Sequence, residues 1–304
     1  ALNYCLKELE VTYRREVQLK RFKDKDLELL RSAKFRKTTN LEDVHDCDLV
    51  IEAIFETMSL KIELFGKLER ICKKECIFGS NTSTLDIDKI SSPLSDRSRL
   101  VGIHFFNPAH VIRVVEIVHG RYTSGRSVAT AFKACEKMKK LAVLVGSCPG
   151  FLFNRLLLVY LTQAHRLCYI HGLLPQQVDE TITRAGFLIG PLTMQDMNGH
   201  DVGEKVKKEH GWEINPIEKW LLDRKRYGRK SGAGFYKYDE KAKKHNDPEV
   251  EWAIRDISRK QAKLNTVLLS DRDVLEFLLF PVVNEGFLCL EEGIVADSTL
   301  TDLM

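Results

Sequence analysis

Cys76-Ile77-Phe78-Gly79-Ser80-Asn81-Thr82-Ser83-Thr84 is a short apolar run that breaks into four polar residues. A run of this length bounded by charges reads as a buried strand, and polar residues at a strand's carboxyl end mark where an open α/β sheet takes its ligand. The pattern repeats outward in both directions. Asp48 to Ile54 is a second such run, with a helix predicted at about 58–74 between the two. Leu100-Val101-Gly102-Ile103-His104 is a third, ending in an imidazole, and Phe105-Phe106-Asn107-Pro108 leads into a further extended segment from Ile112 to Val118. Leu141 to Val145 supplies one more strand, and residues 1–32 read as helix throughout. Alternating strand and helix periods predict a parallel sheet wound with helices. After Pro149-Gly150 the character changes: a long apolar-periodic helix begins near Phe151, and almost everything beyond reads helical, including a charged helix at about 247–263. The expected class is therefore α/β plus all-α. The helical part repeats faintly, since Leu157, Leu158, Leu167, Cys168 and Gly172 overlay Leu278, Leu279, Leu288, Cys289 and Gly293 at a constant shift of 121 positions. The expected division is 1–147, then 148–265 as a first helical copy and 266–304 as an incomplete second.

Composition narrows the function classes. Of 304 residues 44% are hydrophobic and 30% charged, enough apolar material for two or three packed domains. Lys and Arg number 47 against 43 Asp and Glu, and basic stretches such as Lys20-Arg21-Phe22-Lys23 are interleaved with acids, so nucleic acid is not an expected partner. The eight cysteines, at 5, 47, 72, 76, 135, 148, 168 and 289, have no CxxC spacing and read as reduced packing residues; no metal site is expected. No apolar run approaches the ~20 residues of a membrane helix. Asn81-Thr82-Ser83 matches a glycosylation acceptor, but with no signal peptide and this cysteine usage the expectation is an intracellular protein. Arg229 to Tyr236 is a glycine-rich basic turn that would bind an anion or simply turn.

Four residues suggest chemistry: His104, Glu116, Ser83 and Asn154. Oxidising a secondary alcohol needs a base for the hydroxyl proton as hydride leaves carbon. An imidazole titrates near working pH, at ~6.5, and a carboxylate on its other nitrogen would fix the tautomer and stabilise the imidazolium. Glu116 lies twelve residues beyond His104 on the following strand, and a turn at Asn107-Pro108 would fold that strand back towards it. Ser83 and Asn154 would bond substrate oxygens and orient the reacting carbon. Each residue also has a structural reading: a satisfied strand-end histidine, a solvent-facing Glu116, Ser83 capping a helix near Ile87, and Asn154 bonding a helix end.

Ser80-Asn81-Thr82-Ser83, then His104-Phe105-Phe106-Asn107-Pro108 with Val115-Glu116, then Pro149-Gly150-Phe151-Leu152-Phe153-Asn154-Arg155 resemble, in order and spacing, the signature series of 3-hydroxyacyl-CoA dehydrogenases. The resemblance implies a Rossmann-type NAD-binding domain followed by a helical domain. It makes His104 the general base, Glu116 its partner, Ser83 and Asn154 the ligands of acyl-CoA oxygens, and Asn107 a support for the histidine's surroundings. It also places Glu56, Lys61 and Lys230 beside NAD, where the structural alternative is surface charge. Gly190-Pro191 and Gly234-Phe235-Tyr236 extend it over essentially the whole chain, and the second helical copy is similar to peroxisomal multifunctional enzyme type 1, a fusion with enoyl-CoA hydratase. The implied reaction is oxidation of L-3-hydroxyacyl-CoA to 3-ketoacyl-CoA with NAD in fatty-acid β-oxidation. The implied compartment is the peroxisome, with the mitochondrial matrix or cytoplasm as alternatives. The family's opening strand with GxGxxG, and its closing GWP segment, do not occur in residues 1–304. The expectation is that they lie outside this stretch. The alternative is a catalytically silent relative that binds acyl-CoA or is structural, as lens crystallins of the family are. A dehydrogenase of other small hydroxy acids would not need all three motifs.

Overall fold

The structure, a computed structural model, describes residues 2–20, 22–23, 36–261 and 268–304, with the backbone alone for 209 and 210. The first helix, α1 (Leu2–Gln18), stops well short of residue 32. Lys20 takes a left-handed φ of 57°, and Phe22 turns back to put its ring 5.1 Å from that of Tyr13, which closes the helix. Residues 24–32 of the expected helix lie outside the described residues.

Five strands form one sheet in the order β1 (Leu49–Glu52), β2 (Ile77–Ser80), β3 (Leu100–Phe105), β4 (Val114–His119), β5 (Leu141–Gly146). β1, β2 and β3 are mutually parallel, β4 runs antiparallel to β3, and β5 is parallel to β4. The sheet is thus mostly parallel, with one antiparallel junction where the turn expected at Asn107-Pro108 folds β4 back along β3, since that connection is too short to cross the sheet. Side chains alternate across a strand. One face, with Val50, Phe78, Leu100, Val118, Val143 and Val145, packs under α2 (Met58–Ile71) through Phe65 and Leu68 and under α3 (Ile87–Ile90). The other face, with Ile77, Val101, Ile103, Val115 and Ile117, packs on Ala131 and Cys135 of α4 (Gly125–Lys137). Alternation also puts Glu52, Ser80, His104 and Glu116 on the first face. Four polar side chains on one buried face are costly unless paired, and that cost explains the site below.

The helical part begins with α5 (Phe153–Tyr169) and continues through α6 (Pro175–Arg184), α7 (Pro191–Asn198), α8 (His200–His210), α9 (Pro216–Asp223), the two-stranded ribbon β6 (Lys237–Tyr238) and β7 (Lys244–His245), and α10 (Pro248–Gln261). α11 (Asp271–Glu291) packs along α5, so the two members of the faint repeat are partners, each followed by a left-handed glycine, Gly172 and Gly293. α11 belongs to both cores: Val274 and Leu278 join the helical one, whereas Cys289, Leu290 and, beyond it, Val295 join Phe65 and Phe78 over the sheet. A last short helix, α12 (Ser298–Asp302), follows.

The cysteines are free thiols. Cys72, Cys76, Cys135, Cys168 and Cys289 are buried as packing residues, while Cys47 and Cys148 are half-buried and Cys5 is exposed, contrary to the expectation for all eight. The glycine-rich turn is ordered from within. Asp196 on α7 accepts from Phe235 N, Tyr236 N and the Tyr238 hydroxyl, and a Cβ on Gly234 would stand 2.0 Å from its Oδ1. No helix among the described residues is long and apolar enough to cross a membrane.

Candidate active site

His104 and Glu116 stand opposite each other across the antiparallel β3–β4 pair. Directly opposed residues share a face at close range, so the register alone brings the two side chains together. His104 Nδ1 and Glu116 Oε2 are 2.6 Å apart, and Glu116 is fully buried. Its second oxygen, Oε1, accepts from Leu152 N at 3.0 Å and Phe153 N at 2.9 Å, which are free donors at the start of α5. A buried carboxylate is thus satisfied at both oxygens, and a solvent-facing Glu116 is excluded. An ionised carboxylate only accepts, so the Nδ1 contact leaves the Nε2 lone pair of a neutral imidazole available. Rings of Phe106 and Phe151 flank His104, at 4.7 and 5.9 Å between centroids.

The polar run after β2 is organised around Glu56. Its Oε1 accepts from the Thr82 hydroxyl at 2.6 Å, Ser83 N at 2.8 Å, the Ser83 hydroxyl at 3.2 Å and Thr84 N at 3.3 Å. Burial alone would raise the Glu56 carboxyl. The hydrogen bonds from Thr82 and Ser83 and the charge of Lys61 outweigh it and hold the carboxyl below the ordinary range. Lys61 is buried, 2.6 Å from Glu52 Oε1 and 3.2 Å from Glu56 Oε2, so it is no surface charge. Glu52 in turn accepts from the Ser80 hydroxyl and Ile54 N. Asn154 Nδ2 donates to Ser83 O at 3.1 Å, tying α5 to this loop. Ser83 does not cap the following helix; Asp86 does, accepting from Asp88 N and Lys89 N.

Two expected residues stand apart. Asn107 is exposed and makes no side-chain hydrogen bond among the described residues. Lys230 is half-exposed and bonded to Asp201 on α8. The same helix sends Lys205 to the Glu56 carbonyl at 3.0 Å, so α8 links the glycine-rich turn to the sheet. Asn81, whose Oδ1 accepts from Phe105 N at 2.9 Å and so aligns β2 with the end of β3, was quoted in the motif without a role, as was Arg155. Thr84 Oγ1 is buried with no partner among the described residues, and Ile54 and Phe55 expose apolar surface beside Glu56. A free hydroxyl, a carboxylate and apolar surface at the carboxyl ends of β1 and β2 fit a ligand with both polar and apolar faces, as a dinucleotide has.

An α/β sheet with a polar face, closed by a helical unit that contributes donors to a His–Glu pair, fits the class of nucleotide-dependent oxidoreductases. The family models narrow it. Residues 1–148 match the 3-hydroxyacyl-CoA dehydrogenase NAD binding domain, and residues 150–238 match the C-terminal domain of the same family. The chain belongs to the 3-hydroxyacyl-CoA dehydrogenase family of NAD-dependent oxidoreductases. It is 52% identical to the dehydrogenase part of multifunctional enzyme 1 from C. elegans, with a TM-score of 0.71, covering 100% of this chain and 70% of that one. It is 35% identical over 288 residues to the peroxisomal bifunctional enzyme of Homo sapiens, covering 88% of this chain and 40% of that protein. 3-Hydroxybutyryl-CoA dehydrogenase from Escherichia coli shares the fold, with a TM-score of 0.80 at 21% identity over 97% of this chain and 78% of that one. The chain spans about 40% of the length of the curated relatives it matches.

Proposed function

We propose that this chain oxidises the 3-hydroxyl of L-3-hydroxyacyl-CoA to the 3-keto product in fatty-acid β-oxidation, and the observation that carries this is the His104–Glu116 pair. His104 Nε2 takes the hydroxyl proton, and Glu116, held by Leu152 N and Phe153 N, stabilises the imidazolium that forms. Bound NAD would accept the hydride. Ser83 and Asn154, already joined through the Ser83 carbonyl, hold the substrate's oxygens over the pair. Glu56 and Lys61 line the cofactor side, with Lys230 approaching through Asp201 and α8. Asn107, on the turn after β3, borders the histidine's surroundings. Phe106, Phe151 and Phe153 keep bulk water from the imidazole, which strengthens the pair's electrostatics.

For the division 1–147, 148–265 and 266–304, the meeting of the two family models supports the first boundary and the pairing of α5 with α11 supports a second helical copy, while the boundary at 265/266 lies outside the described residues. Relatives named as peroxisomal bifunctional or multifunctional proteins support a peroxisomal compartment and a fused or partner enoyl-CoA hydratase. Phe280, Val283 and Phe287 form an exposed apolar stripe on α11 that suits such a neighbour. The test is NADH absorbance on mixing the protein at its natural full length with NAD and L-3-hydroxyacyl-CoA of short to long chain. Turnover with L and not D substrates is expected; no turnover with any L substrate overturns the proposal.

A further inference from the structure

We propose that Arg155, clamped by Glu285 and Glu292, is a positioning residue for the His104–Glu116 pair, acting through the first turn of α5; this rests on the role assigned to that pair above. Glu116 is oriented by two backbone donors, Leu152 N and Phe153 N, and those donors point at it only while the turn before α5 keeps its shape. That shape is strained at Phe151, a bulky residue with φ +53°, which follows Gly150 at φ +81°, a value glycine takes freely. Such a turn persists only where its surroundings hold it. Cys148 Sγ contacts Phe151 O at 3.2 Å, and the Phe151 ring is buried beside His104. The charged anchor is Arg155. Its Nε donates to Glu285 Oε1 at 2.5 Å, and Nη1 and Nη2 meet the two oxygens of Glu292 at 2.5 and 2.9 Å.

Glu285 lies on α11 and Glu292 is its C-cap, so two points on one rigid element grip a planar guanidinium along two edges. A bidentate pair fixes orientation as well as distance. The segment after α11 also ties to the sheet: Ile294 O accepts from Gly146 N at 2.7 Å, at the end of the strand paired with β4. α11 and the segment after it thus hold the turn that carries both backbone donors to Glu116 and the end of the neighbouring strand.

A merely structural clamp would lower stability and leave kinetics per folded molecule alone. The distinguishing readouts are the split between kcat and KM and the graded response to Arg155→Lys. In the protein at its natural full length, Arg155→Ala is expected to lower kcat about 10- to 100-fold with KM for L-3-hydroxyacyl-CoA within about threefold, as for a small misplacement of a reacting group. Arg155→Lys, which keeps the charge but cannot make the bidentate grip, should recover only part of the loss, and Glu285→Gln with Glu292→Gln should reproduce Arg155→Ala and stands in for it if that variant does not fold. Wild-type kcat in the folded fraction of Arg155→Ala or of the double glutamate variant overturns the proposal. Unchanged turnover in His104→Ala would instead overturn the assignment of the pair itself.

Discussion

Glu116→Gln keeps the volume of the side chain and changes its charge and one donor site. Glu116 is fully buried and makes three contacts, to His104 Nδ1, Leu152 N and Phe153 N. The amide oxygen can still accept from the two backbone donors, which leaves the amide NH2 facing His104 Nδ1. A donor there forces Nδ1 to accept, moves the ring proton to Nε2 and removes the lone pair that takes the substrate proton. Losing both the correct tautomer and the carboxylate's stabilisation of imidazolium should lower kcat by about 1,000- to 10,000-fold, or about 4–5.5 kcal/mol of barrier. KM for the acyl-CoA should change little, since Ser83 and Asn154 are untouched. Steady-state NADH formation gives both constants, and circular dichroism reports the fold. A folded variant within about threefold of wild-type kcat would refute this account of Glu116.

Lys61→Met leaves Glu52 and Glu56 without the cation buried between them, and urea unfolding should show a loss of about 3–5 kcal/mol; a loss below about 1 kcal/mol would mean the pair is dispensable. The Glu56 carboxyl sits below its ordinary 4.5, so its contribution to stability is present above that value and is lost as pH falls through the lower folded value. The difference in Tm between wild type and Glu56→Gln should therefore be widest near neutrality and close as pH drops below 4.5, and a difference independent of pH would contradict it. Gly234→Ala places a Cβ against Asp196 Oδ1, on a carboxylate that Phe235 N, Tyr236 N and the Tyr238 hydroxyl hold in place across its two oxygens, and should cost about 1–3 kcal/mol by thermal melting; an unchanged Tm would show that the turn yields.

The pair at His104 and Glu116 was legible because two short apolar runs with a tight turn between them can only reverse, and twelve residues of separation set the two side chains opposite each other. Strand-end polar residues were legible for the same reason of period. What joins Lys61 to Glu52 was not, since that contact depends on how α2 lies over β1, a packing angle no period encodes. Arg155 is 130 residues from Glu285 and 137 from Glu292, and charges that far apart in sequence carry no local mark of their pairing. The glycine-rich turn showed its glycines without their cause, the backbone and carboxylate of Asp196 packed against Gly228 and Gly234. At the other end, the charged and apolar spacing of residues 1–32 suggested an unbroken helix, and the left-handed Lys20 that ends it has no glycine to announce it.

The most direct test of the central claim is turnover of L-3-hydroxyacyl-CoA with NAD by wild type and His104→Ala side by side, followed as NADH absorbance in the protein at its natural full length. With His104 as the base, the wild type turns over and the variant, folded and still binding substrate, loses at least about 100-fold in kcat. A folded His104→Ala protein that keeps turnover within a few-fold of wild type would contradict it.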